Sequence, residues 1–491
     1  MSNSIDRRLF LVRATTAAAT LAARPSLVAS WSKPYRAHVA RPQRILVLGA
    51  GMAGLGVATE LVEQGHDVTI IEARTRPGGR VFTIREPFAD GLYAEGGAMQ
   101  VFDTHTRAIK YIKQFNLELD PIQPARLNSV RYLMGKRIEA KPGEPIPWPF
   151  ELNEAERKAG SPNALYITPT LQPINDAERR GTLLEEFARL DRQTLTEYLQ
   201  ASGASAGAIA ILKIGLAGGL GDGSDHVSAL DLLREAAHRA LSHQSSTIRG
   251  GTDRLPKALA ARLGARIHYG TAATRIEQDA NEVRVIASHG GTTHTYTADR
   301  LVCAIPFSVL RHLSVAPAFS AQKRAAINGL LYTSVARTYV QTRTRFWLED
   351  GISGNASTDL PVMGVYERTI NQPGTRGILE SYQAGDTARR STTMSDSERL
   401  AAALEGMAKV YPRIRDQFEG GASKCWDSDE WSRGAYTWFK PGQMTAWLPH
   451  IARVEGRIHF AGEHASTQPG WMEGALESAD RVVAEIGDES R

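Results

Sequence analysis

Arg44-Ile45-Leu46-Val47-Leu48-Gly49-Ala50-Gly51-Met52-Ala53-Gly54 begins as an apolar run and passes straight into a glycine turn. A run of that length suits a strand buried in a parallel sheet. The three glycines fall at GxGxxG spacing, and each answers a separate need. Gly49 permits the tight turn, Gly51 lets backbone approach a pyrophosphate, and Gly54 lets the following helix lie close on the sheet. That helix is expected over residues 52–64, with its N-terminal amides facing the phosphates. Asp67-Val68-Thr69-Ile70-Ile71 reads as the second strand, and Glu72 stands at its end, where a carboxylate accepts both ribose hydroxyls. This order of strand, turn, helix, strand and acid predicts dinucleotide binding, with Ala53 and Ala73 in the same two turns. Arg74 and Gly78-Gly79-Arg80 add cationic donors beside the same pyrophosphate.

The rest of the composition narrows the class. At 491 residues, 42% apolar and 23% charged, the chain is long enough for two cores, and two domains are expected. No run approaches the ~20 uninterrupted apolar residues of a membrane span, so a soluble body is expected. Of the net charge of +5, residues 1–29 contribute +3, and no basic stripe interleaved with aromatics follows, so no nucleic-acid partner is expected. Cys303 and Cys425 are the only cysteines; Cys303 sits in an apolar run as a small core residue, and two distant cysteines make no zinc site. No metal is expected.

Asp6-Arg7-Arg8-Leu9-Phe10-Leu11-Val12, followed by an alanine-rich stretch to about Ala29, resembles a twin-arginine export signal, which implies a periplasmic or secreted protein. Tyr93-Ala94-Glu95-Gly96-Gly97-Ala98-Met99 supplies small residues that let backbone lie against a flat ring. Helical spacing covers 104–115, a proline-rich stretch at 142–149 marks a boundary, and 182–243 is mostly helical. Alternating stretches at 265–269, 273–278, 283–287 and 294–297 predict a β-meander, and 301–305 predicts a strand rejoining the parallel sheet. Strands at 334–341 and 377–382 and a helix at 396–410 follow. Arg457-Ile458-His459-Phe460-Ala461-Gly462-Glu463 is again strand then glycine. Beyond it Met472, Ala475, Leu476, Ala479, Val482, Val483 and Ile486 keep one helical face apolar.

Gly49–Gly54, Glu72, Gly78-Gly79-Arg80, Phe460–Glu463 and Gly470-Trp471-Met472-Glu473-Gly474 together resemble the flavin amine oxidase family over nearly all of residues 42–488. The resemblance implies an α/β fold: a Rossmann-like FAD-binding domain built from discontinuous segments (38–110, 245–315 and 455–488), and a mixed-sheet and helical substrate domain (111–244, expected to be helical, and 316–454) after a signal peptide at 1–29. It implies hydride transfer from a C–N bond to the flavin, hydrolysis of the imine and reoxidation by O2 to peroxide, with a small-molecule amine or amino acid as substrate. Besides the residues above, it places Gly97, Ala98, Met99, Ala273, Gly462, Glu463, Trp471 and Met472 at the cofactor. Tyr436 and Trp471 match two rings that flank the amine, favouring its neutral form by desolvation. Ala435 stands where covalent members carry a cysteine, so FAD is expected to be non-covalent. A homodimer is the candidate assembly, with oligomeric state left open.

Within the family the stretch 93–117 and Leu379-Glu380-Ser381-Tyr382 are nearer the L-amino-acid oxidases, Tyr382 matching a carboxylate-contacting tyrosine. Two positions depart from the pattern. Gln100 replaces the carboxylate-binding arginine, losing a bidentate ion pair, and Arg337 replaces a lysine that holds a water at the flavin. The expectation is that Arg337 compensates for Gln100 by supplying positive charge to an acidic substrate or to reduced flavin. A monoamine or polyamine oxidase without carboxylate recognition is the alternative. From another class, a flavin-dependent desaturase or isomerase, or a non-catalytic flavoprotein, fits the same fold.

Overall fold

Five short apolar strands build the sheet on which the glycine turn sits. In the computed structural model, which describes residues 41–122, 127–216 and 220–489, they lie in the order Ile267–His268, Asp67–Ile71, Arg44–Leu48, Arg300–Cys303 and Ile458–Phe460. All neighbouring pairs are parallel. The stretch 1–29, expected to be an export signal, lies outside the described residues. Met52–Gln64 is helical from the second glycine onward, as the spacing predicts. It packs against the C-terminal helix Met472–Glu489, whose Met472, Ala475, Leu476, Ala479, Val482, Val483 and Ile486 are all buried. Gly56 makes that approach feasible: a Cβ there would stand 2.9 Å from Leu476 Cδ2 and 3.2 Å from Ala479 Cβ. Gly56→Val is therefore expected to destabilise the protein by about 1–3 kcal/mol through overpacking, read as a lower Tm. The start of the C-terminal helix is also a docking point, because buried Glu473 accepts from the Arg107 and Ala108 amides at 3.1 Å and 3.0 Å, fixing the helix Thr106–Gln114.

The expected meander is only partly formed. Thr271–Gln278, Val283–His289 and Thr292–Ala298 are successive antiparallel strands, and Ser314–Ala316 adds to the first of them in parallel. The stretch around 265–269 instead contributes Ile267–His268 to the edge of the parallel sheet, because Gly270, at φ +64°, turns the chain between the two sheets. This edge strand positions Glu72: the Glu72 amide donates to the His268 carbonyl, and the Thr271 amide donates to the Glu72 carbonyl, both at 2.9 Å.

A seven-stranded sheet runs Phe418–Cys425, Val335–Thr342, Gly377–Ala384, Gly364–Glu367, Ile352–Thr358, Asn128–Leu133 and Lys136–Ala140. The last two differ from the expectation of a helical stretch from 111 to 244. They form a hairpin whose two-residue turn, Met134-Gly135, has φ of +52° and +75°, the primed geometry that tight hairpins favour. Methionine in place of asparagine at the first position removes the usual sequence signal for such a turn. Helices then dominate from Glu154–Ala159 to Ala229–Ala240. Both cysteines are buried and free, and burial pushes the Cys303 thiol up to about 12.

Candidate active site

Between the parallel sheet and the seven-stranded sheet lies a cavity of about 500 Å³, within the usual range of ~300–1,000 Å³ for a ligand site. One end is the glycine cradle. Gly49 takes φ +102°, and a Cβ on Gly54 would overlap the Gly49 carbonyl oxygen, so both need glycine. At Gly51 an added Cβ meets nothing within 4 Å, which leaves open space over the turn. Glu72 is buried with its carboxylate accepting from the Ala50 amide at 2.7 Å and the Arg74 amide at 2.8 Å. Burial raises its pKa against the opposing pull of those two amides and of Arg74. Ala53, Ala73, Gly79, Gly97, Ala98, Met99, Ala273, Gly462, Trp471 and Met472 line the same space. The wall at Gly97 is tight, since a Cβ there would overlap the Arg80 carbonyl oxygen. Of the sequence-predicted cofactor residues only Gly54 does not face the cavity; it acts behind the turn.

Arg74 and Arg80 also line the cavity, but neither is an uncommitted cation at the pyrophosphate. Arg74 is paired with Asp429 and donates to Ser432 Oγ at 3.0 Å. Arg80 donates from Nη1 to Glu463 Oε1 at 2.7 Å and to the Ala435 carbonyl at 2.5 Å. Glu463 in turn accepts from Thr437 Oγ1 and from the Gly470 amide, both at 2.9 Å. One buried carboxylate thus ties the Gly79-Arg80 turn to the loops that carry Tyr436 and Trp471.

The other end of the cavity is roofed by the seven-stranded sheet. Tyr382 and Tyr436 touch through their hydroxyls at 3.0 Å. Burial, and then Tyr382, raises the Tyr436 pKa well above its ordinary value, so Tyr436 presents a neutral hydroxyl at physiological pH. Trp471 lies beside Phe102 and His105, with ring centroids at 4.9 Å and 5.4 Å. Burial lowers His105 to about 4, which keeps that ring neutral. Arg337 points inward. Its Nη1 donates to the Glu95 carbonyl at 2.7 Å, its Nε stands 3.4 Å from Glu380 Oε1, and its guanidinium lies 4.8 Å from the centre of the Tyr382 ring. Burial works against its charge, but Glu380 outweighs that and the pKa is raised. Gln100 lines the cavity without a hydrogen-bond partner among the described residues.

Sequence reasoning missed several charged or polar groups in the wall, among them Glu235, Arg239, Tyr366 and Arg368. Glu235 and Arg239 are an i,i+4 pair, 3.6 Å apart, on the inward face of Ala229–Ala240 with Leu232. The available signal was a charged pair sharing a helical face with a core leucine. Glu380, read only as a neighbour of Tyr382, is fully buried and pairs with Arg368 as well as facing Arg337.

A nucleotide cradle and an aromatic, arginine-bearing chamber are thus one continuous space. The family model for flavin-containing amine oxidoreductases matches residues 52–487. The chain belongs to that family. It is an amine oxidoreductase of the flavin-dependent kind. YobN of Bacillus subtilis (strain 168), provisionally named an L-amino-acid oxidase, is 34% identical over 91% of this chain and 95% of its own length. The L-amino-acid oxidase of Siganus canaliculatus is 29% identical over 92% of this chain and 87% of its own. Among solved structures, wild-type putrescine oxidase bound to putrescine superposes with a TM-score of 0.77 at 23% identity, over 91% of this chain and 99% of that one. Cyclohexylamine oxidase from Brevibacterium oxydans gives 0.77 at 21%, with the same coverage. These two likenesses establish the fold of the oxidoreductase.

Proposed function

We propose that this amine oxidoreductase is an FAD-dependent L-amino-acid oxidase, converting an amino acid to its 2-oxo acid and ammonia while O2 becomes H2O2. The observation that carries the reading is the single cavity that runs from Glu72 and the glycine turn to Tyr382, Tyr436 and Trp471. The 34% identity to a relative named for that activity supports the substrate class. Glu72, with a lone pair remaining on each oxygen, suits a ribose; the open space at Gly51 suits a pyrophosphate. Ala435 and the absence of either cysteine from the described cavity wall support non-covalent FAD. When bound, flavin supplies the acceptor for the two electrons taken from the substrate's C–N bond.

The chain's own part is binding and exclusion of water. Tyr436 and Trp471 supply apolar ring surface that desolvates the amine and favours its uncharged form. The Tyr382–Tyr436 hydroxyl pair fixes both rings across the chamber. Oxidation then needs no strong protein base, and among the described wall residues Glu235 offers a carboxylate near Tyr436. The Arg7-Arg8 leader supports export of the protein, folded with its cofactor, by the twin-arginine route.

Gln100 favours a second reading, oxidation of amines that lack a carboxylate. Peroxide release measured on L-amino acids beside the matching decarboxylated amines separates the two. Turnover of the amino acids supports the proposal, turnover of the amines alone supports the second reading, and turnover of neither removes both.

A further inference from the structure

We propose that Arg368 is the carboxylate anchor of this enzyme, doing from the roof of the cavity what Gln100 does not do from the cofactor side. The inference rests on the oxidase reading above and commits it to carboxylate-bearing amines.

Strand register brings Arg368 to the chamber. Gly364 stands opposite Tyr382 and Tyr366 opposite Glu380 in the antiparallel pair, and Arg368 follows Tyr366 by two residues, which returns it to the same face. Its guanidinium lies 4.8 Å from the centre of the Tyr366 ring. That ring packs edge-on to Tyr382 at 6.5 Å, and Tyr382 touches Tyr436. Arg368 is therefore contiguous with the rings that receive the amine.

Charge and donor count then single it out from Arg239 and Arg337, the other two arginines described at the chamber end of the wall. Glu380, fully buried, is one negative charge set against two guanidiniums, those of Arg337 and Arg368. Glu235 and Arg239 cancel each other. The chamber thus holds one positive charge in excess, and a desolvated charge without a partner is costly. A substrate carboxylate supplies that partner. Arg239 is the weaker candidate because its side chain is 53% exposed to solvent. Arg337 already gives Nη1 to the Glu95 carbonyl. Arg368 is only 16% exposed, uses Nε alone on Glu380, and has no hydrogen-bond partner for either terminal nitrogen among the described residues. Those two nitrogens are the fork that grips a carboxylate bidentately. Gln100, unpartnered in the same cavity, can add an amide N–H from the other side.

The test uses the holoenzyme and two uncharged-versus-charged probes of one shape, benzoate and benzamide, with dissociation constants from calorimetry. Arg368→Gln is expected to weaken benzoate by about 100-fold, as for loss of one partner of a desolvated ion pair, and to leave benzamide within about threefold, the ordinary scatter of a lost neutral contact. Arg368→Lys, which keeps the charge and is the milder change to the fold, is expected to fall between. KM for L-amino acids should rise in the same order. Benzoate affinity unchanged in both variants, equal loss for both probes, or no benzoate binding by the wild type would each overturn the assignment. The oxidase reading fails separately, by absence of peroxide with every amino acid, whatever benzoate does.

Discussion

Glu463→Ala is expected to give a protein that unfolds at a much lower temperature and leaves purification without its yellow colour. Glu463 is buried and meets Arg80 Nη1, Thr437 Oγ1 and the Gly470 amide at once. Removing it leaves the Arg80 guanidinium without its carboxylate in a largely desolvated site, at a cost of about 3–5 kcal/mol. The loss falls where cradle and chamber meet, so stability and cofactor retention should drop together. Glu463→Gln keeps an acceptor for Thr437 and Gly470 and is expected to lie between. Burial raises the Glu463 pKa, but Arg80 and His464 outweigh it and the net shift is downward. Its contribution is therefore present above the ordinary carboxylate range and is lost as pH falls through the lowered value. The variant should show a shallower acid limb in a plot of Tm against pH.

A second large loss is expected far from the cofactor, for Glu178→Ala. Glu178, on the helix Thr168–Arg180, accepts from Arg234 Nε at 2.9 Å and faces His238 Nε2 at 2.7 Å, both on Ala229–Ala240. The Arg234 side chain is 4% exposed, so truncating its partner strands a buried cation, again at about 3–5 kcal/mol. Burial raises the Glu178 pKa, yet Arg234 and His238 bring it down to about 2 from 4.5. That contribution is complete above 4.5 and disappears as pH falls toward 2. Denaturation followed at neutral and acid pH checks the sign, since the variant's deficit should shrink on acidification. Because the same helix carries Glu235 and Arg239 into the cavity, KM should also rise, a change that a loss of global stability alone does not produce.

How much of this was legible in the residues depended on how local the signal was. The glycine turn, its helix and Glu72 are encoded within one stretch, and the structure places each as the spacing requires. The C-terminal helix was equally plain, because seven apolar positions share one face over about four turns. The hairpin 128–140 was hidden by its methionine-glycine turn, and Ile267–His268 by a glycine that switches sheets. The chamber was half legible. Tyr382, Tyr436, Trp471 and Arg337 could be placed by resemblance, and all four line the cavity. Alternation along Val335–Thr342 gave no orientation for Arg337, because nearly every residue of that strand is buried on one face or the other. Arg337 does face inward, but its Nη1 is already given to the Glu95 carbonyl, so the compensation for Gln100 passes, as proposed, to Arg368, whose terminal nitrogens have no partner among the described residues. Arg368, Glu235 and Glu380 were missed for one reason: their meeting depends on strand register and helix rotation, which no local pattern states.

The central claim is that one cavity holds both the flavin and an amino acid in reach of it. Anaerobic addition of L-amino acids to the purified yellow protein, followed by absorbance, tests it most directly. The account predicts that the yellow band bleaches with amino acids and returns when air is admitted, with peroxide released. A yellow protein whose colour no amino acid or amine discharges would contradict it.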